Sequence, residues 1–95
     1  MGYRLSKKAD QDLFEIYVFG VERFGPAQAD SYHLGLMEAF YLLAGFPWLG
    51  RRIGDVDGLT HLHTHGAHAI LYRVDAGEVV ILRVLHGPQA RDPEF

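Results

Sequence analysis

The sequence predicts an α+β fold in which an N-terminal strand and an α-helical hairpin pack on an antiparallel sheet of three or four strands. Three observations predict it. Residues 69–74 and 78–86 are two apolar runs, rich in β-branched and aromatic side chains, around Asp75-Ala76-Gly77. That turn former and glycine make the pair a tight β-hairpin. Residues 7–44 repeat apolar side chains at helical spacing, interrupted once at Gly25-Pro26. Residues 3–5 and 59–65 alternate, as half-buried strands do. A helical hairpin covering one face of a sheet is the economical arrangement for such an order.

Along the chain, Tyr3 and Leu5 share one strand face. Ser6 then stands where a helix N-cap is wanted. The first helix is expected over residues 7–24, with Leu13, Ile16, Tyr17, Gly20, Val21 and Phe24 forming its apolar stripe and Ala9 extending it. Phe14, Val18 and Phe19 fall off that stripe and are candidates for exposure. Gly25 suits the end of one helix and Pro26 the first turn of the next, so the second helix is expected over residues 26–44. Residues 48–58 read as a loop punctuated by Gly50, Gly54 and Gly58 and carrying Arg51-Arg52. Residues 59–65 are the third strand. The central hairpin is apolar on both faces over most of its length, which places it inside the sheet. The first strand is expected near the last, because a lone strand leaves its backbone unsatisfied. The tail from Gly87, with two prolines and several charges, is expected to be irregular and exposed.

Ninety-five residues make one domain, and 48% hydrophobic content supports a single core. No apolar run is long enough to span a membrane, and MGYRLSKKAD carries no apolar signal core, so the cytoplasm is the expected compartment. With no cysteine there are no disulfides, thiol nucleophiles or Cys–zinc sites. A net charge of −3 argues against a domain that grips nucleic acid directly.

The chain resembles the ParE branch of the RelE/ParE superfamily of bacterial toxins. The resemblance rests on Tyr3-Arg4-Leu5-Ser6 with Ala9 and Asp12-Leu13, on residues 16–25, and on residues 29–32. Phe46-Pro47 with Gly50, residues 70–74 and residues 81–87 complete it. It implies the toxin half of a type II toxin–antitoxin pair, neutralised by a ParD-like antitoxin whose C-terminal segment folds along the toxin. It further implies that DNA gyrase is the target, poisoned by binding and not by a reaction of the toxin's own. It supplies neither cofactor nor metal, and none is expected. Two alternatives stay open: a RelE-like ribosome-dependent messenger RNA endoribonuclease, and a degenerate homologue that binds antitoxin without toxicity.

On the toxin reading, Phe14, Phe19 and Trp48 fit the core poorly and are candidates for the antitoxin surface. Tyr72, Arg73 and Arg83 join them, since an arginine fork suits the carboxylates of an acidic segment. Arg73 and Arg83 also have a plainer reading, as surface pairs with Asp75, Glu78 or a neighbour. Arg51, Arg52, His86, Arg91 and Phe95 are candidates for the target surface. On the nuclease reading, Arg73, Arg83 and His86 would be the site, although Arg83 and His86 lie on opposite faces of a regular strand. His61, His63 and His65 share a face. They would be a polar sheet surface with Leu62 turned to the core, a zinc site if a third ligand were supplied, or a pH-responsive contact.

Overall fold

A computed structural model describes residues 2–53 and 60–87. Gly54, Gly58, Leu59, Arg91 and Phe95 lie outside the described residues, as does the rest of the tail. The elements are β1 (Tyr3–Leu5), α1 (Lys7–Phe24), α2 (Pro26–Gly45), β2 (Arg51–Arg52), β3 (His61–His65), β4 (His68–Asp75) and β5 (Glu78–His86). No helix among them is long and apolar enough to cross a membrane.

Both helices begin where local chemistry dictates. The Ser6 hydroxyl accepts the Ala9 N–H at 3.0 Å and donates to the Leu82 carbonyl at 2.7 Å, so one side chain caps α1 and ties it to β5. At the corner, Gly25 adopts φ +91°. Its N–H closes α1 on Val21 and its carbonyl opens α2 on Ala29, a double duty that the positive φ permits.

The sheet has five strands in the order β1-β5-β4-β3-β2. Two features depart from the expected antiparallel sheet of three or four strands. β1 pairs with β5 in parallel, and Arg51–Arg52 form an edge strand against β3 where a loop was expected. In the hairpin turn, Ala76 and Gly77 both take positive φ (52° and 77°), as a two-residue turn matched to strand twist requires.

The main core lies between the helices and one face of the sheet. Leu13, Leu36, Phe40 and Leu43 meet Ile70, Tyr72, Val79 and Ile81 there. Burying a side chain of this kind stabilises the fold by about 1.5–3 kcal/mol. Phe24, expected on the buried stripe of α1, is 59% exposed. It closes the helix beyond the end of the packed seam. Leu62, Ala69, Leu71 and Leu85 form a smaller cluster on the opposite sheet face.

A bulge in β5 sets the side-chain phase. Leu71 stands opposite Arg83 and Tyr72 opposite Ile81, leaving Leu82 as the extra residue. Ile81 and Val84 therefore both face the helices, though three positions apart. A regular strand would have driven the Arg83 guanidinium under the helices with Val79 and Ile81. The bulge turns it to the strand edge instead.

Candidate functional site

β1 ends at Leu5, so among the described residues the outer edge of β5 beyond Ile81 has no strand beside it. The Ser6 N–H takes the Ile81 carbonyl at 2.9 Å, and α1 then runs past the exposed edge. Asp12 covers its start. One carboxylate oxygen accepts both the Val84 N–H (2.9 Å) and Arg83 Nε (2.8 Å), and the other accepts Arg83 Nη2 at 3.0 Å. This fork, with Glu15 nearby, holds the guanidinium above its already high pKa, so Arg83 is a fixed cation. The partner expected for Arg83 was Asp75, Glu78 or a neighbour, and Asp12 is the one it meets. The Asp75 and Glu78 carboxylates go to Arg4, at 3.5 and 3.0 Å, in an exposed pair that contributes little.

Beyond Asp12 the edge of β5 opens into a groove of about 660 Å³ between the C-terminal half of α1, the N-terminal half of α2 and the sheet. Its walls are mainly apolar, from Ile16, Phe19 and Phe24 on α1 to Leu36 on α2 and Val84 on β5. Gly20 makes the narrow point: a Cβ there would sit 3.3 Å from that of Ala29. Phe19 and Phe24 are 55% and 59% exposed, and the Arg23 guanidinium lies 5.3 Å from the Phe19 ring centre.

The inner end of the groove is lined by Tyr32, His68 and His86. The Tyr32 hydroxyl is 2.6 Å from His68 Nδ1 and donates to the His65 carbonyl at 3.1 Å. The His86 ring meets His68 edge-on at 6.1 Å. Burial holds Tyr32 above its ordinary pKa. Burial, then His86 and His65, hold His68 below its own, while burial and His65 lower His63. These depressed histidines give a pH dependence. The folded chain binds fewer protons than the unfolded one, so their contribution is full above the ordinary imidazole value of about 6.5 and declines below it. Thermal melts should move to lower temperature between about pH 7 and about pH 5.5, and His68→Asn should flatten that slope. An unchanged slope in the variant would remove His68 as the cause.

The expected site residues separate into several places. Phe19, Arg83 and His86 line the groove. Phe14, 68% exposed, lies on the other side of the hairpin seam beside Tyr17 and His33. Trp48, 72% exposed, follows α2 in the loop leading to the far sheet edge, where Arg51 and Arg52 are exposed. Tyr72 is 0% exposed, and its hydroxyl accepts the Gly50 N–H and donates to the Pro47 carbonyl. It is a framework residue, inaccessible to an antitoxin. Arg73 lies at the turn end of the hairpin opposite Val80, about 20 Å along β5 from His86, so the three expected nuclease residues do not meet.

The histidines of β3 face the helices. His61 stacks on Tyr72 at 5.3 Å, and His65 packs on Tyr32 at 5.5 Å. Leu62 is buried as expected, in the smaller cluster on the other face, while the histidine face is turned to the helices and not to solvent. Among the described residues no group of three His, Asp or Glu side chains is arranged to hold a metal ion. Sequence reasoning missed Tyr32, His68 and Phe24 as groove residues. The helical spacing of Phe24 and Tyr32 signalled core, and only the open edge of β5 makes them a lining.

The model of the ParE toxin of the parDE type II toxin–antitoxin system matches residues 3–91. Toxin ParE1 of Caulobacter vibrioides is 33% identical over 84 residues, covering 88% of this chain and 86% of the relative. Toxin ParE1 of Mycobacterium tuberculosis is 33% identical over 85 residues, covering 88% and 87%. Among solved structures, the chromosomal ParDE system of P. aeruginosa superposes with a TM-score of 0.77 at 26% identity, over 90% of this chain and 95% of that one. The RelBE2 toxin–antitoxin complex of M. tuberculosis superposes with a TM-score of 0.64 at 25% identity and the same coverage. With its fold shared and nearly its whole length matched, this chain belongs to the ParE toxin family of type II toxin–antitoxin systems.

Proposed function

We propose that this toxin is held inactive by a ParD-like antitoxin whose segment lies in the groove between the helical hairpin and the open edge of β5. Released in the cytoplasm, it inhibits DNA gyrase by binding. The observation that carries this reading is the groove itself. Two phenyl rings, Phe19 and Phe24, stand exposed over an apolar channel beside an uncovered strand edge. Such a channel suits a segment that folds on binding and presents an apolar stripe. The Arg83–Asp12 pair closes the start of the edge, so the segment would lie beyond it. Binding is favoured over RNA cleavage because the Arg83 charge is already neutralised by Asp12 and Arg73 is remote.

Two measurements test the reading. Phe19→Ser with Phe24→Ser should weaken a cognate ParD-like antitoxin by at least about 100-fold, an effect typical of paired aromatic anchors. The melting temperature should change little, because both rings are more than half exposed. Unchanged affinity would place the antitoxin elsewhere. Purified gyrase should lose supercoiling activity and accumulate cleaved DNA with the free toxin, and regain activity with antitoxin. Normal gyrase turnover alongside cut messenger RNA would replace this target with the ribosome.

A further inference from the structure

The end of the sheet away from the groove carries a second surface. Tyr41 and Leu42 in the last turns of α2, then Phe46, Trp48 and Leu49, are all large, apolar and exposed, Trp48 by 72%. Their loop is fixed. The buried Tyr72 hydroxyl holds Gly50 N at 2.8 Å and the Pro47 carbonyl at 2.7 Å, and Leu49 N closes a turn on the Phe46 carbonyl at 3.1 Å. The Phe46 and Trp48 rings meet edge to face at 5.8 Å. Directly after them, β2 pairs with β3 and sets Arg51 and Arg52 on the sheet edge. No acidic residue occurs between Glu38 and Asp55 in a chain whose net charge is −3.

An exposed tryptophan held rigid by a core hydroxyl has already lost its loop entropy before any partner arrives. Packing within the chain does not require it there. Tryptophan flanked by arginine is the composition of an interface anchor. β2 lies three strands from β5, about 14 Å across the sheet, so an antitoxin in the groove leaves this corner open.

We propose that the Trp48–Arg52 corner docks an acidic protein surface: an apolar pocket takes Trp48, and carboxylates around it take Arg51 and Arg52. The partner is the protein whose inhibition arrests growth, so the inference rests on the toxin role proposed above. Two adjacent cations are too few for a phosphate track. Exposed Leu42 and Leu49, next in sequence to Tyr41 and Trp48, add aliphatic surface that suits a desolvated protein pocket. The charge complementarity and the apolar ring together select a protein over a nucleic acid.

The test uses the full chain with Trp48→Ala and, separately, Arg51→Glu with Arg52→Glu. Both variants should lose growth arrest at least about 100-fold in induced cells, with melting temperature and antitoxin affinity kept within about two-fold of the parent. Trp48 is the chain's single tryptophan. A 5-fluorotryptophan label in the toxin therefore reports this site alone. Its resonance should broaden and shift with purified gyrase and stay in place with antitoxin. Arrest equal to the parent's in both variants would overturn the proposal. So would a parallel loss of antitoxin affinity, or a label shift with a short single-stranded oligonucleotide and none with gyrase. If the parent arrests growth but leaves gyrase untouched, gyrase falls as target while the variants' arrest still decides this surface. If gyrase is inhibited equally by parent and variants, the corner falls and the target stands.

Discussion

Asp12→Ala is expected to lower the unfolding free energy by about 2–4 kcal/mol, a large loss for a substitution outside the core. One carboxylate serves three donors: Arg83 Nε, Arg83 Nη2 and the Val84 N–H. The Asp12 side chain is 11% exposed and that of Arg83 30%. Removing the acceptor leaves a largely desolvated guanidinium beside Glu15 and an edge N–H facing an apolar groove. Water can reach the guanidinium in part, which sets the loss below that of a fully buried pair. Asp12→Asn keeps one acceptor oxygen and should fall between parent and alanine. In Arg83→Leu the carboxylate still accepts the Val84 N–H, so the double variant with Asp12→Ala should cost less than the sum. Denaturant titration checks the series. A loss under about 1 kcal/mol for Asp12→Ala would mean that the fork behaves as an ordinary surface pair. Antitoxin affinity should fall with it, because the same carboxylate fixes the groove's entrance.

Gly50→Ala is the second. A Cβ at this position would stand 2.7 Å from Tyr72 Cε1 and 2.9 Å from the Leu62 carbonyl oxygen. Neither can yield. Tyr72 is fully buried among the core side chains, and the carbonyl belongs to the β2–β3 ladder. The loop must lift off, leaving the Tyr72 hydroxyl without its two partners. Overpacking and an unsatisfied buried hydroxyl together cost about 2–5 kcal/mol. Tyr72→Phe keeps the ring, removes the hydroxyl and should cost about 1–2 kcal/mol. Both substitutions should free Trp48, readable as a sharper fluorine resonance from a labelled chain, while antitoxin affinity at the other edge is retained. A Gly50→Ala chain as stable as the parent would show that the loop has room the geometry denies.

Much of the candidate site was hidden in the sequence for one reason. The groove exists because β1 is three residues long and stops short of the end of β5. Nothing local to Phe24, Tyr32 or His68 says that a neighbouring strand is missing. The exposed aromatics Phe14, Phe19 and Trp48 were legible, the first two because they fall off the stripe of α1 and Trp48 because it follows α2 in a loop. That they lie on different surfaces was not, because period says which side chains leave the core and not where they go.

The sequence by itself determined the local structure: both helices and their shared corner at Gly25-Pro26, the Ser6 cap, and the hairpin turned by Ala76-Gly77. Each depends on backbone preference or on side chains within four residues. The tertiary structure decided what depends on partners far along the chain. It set the parallel direction of β1, and it drew Arg51–Arg52 into an edge strand through pairing with β3. The bulge at Leu82 turned Arg83 away from the core, and Asp12, 71 residues earlier, received it. A strand's register is the sum of long-range pairings, and a one-residue slip exchanges its two faces. Which face a side chain takes in β5 was therefore settled only when the sheet closed against α1.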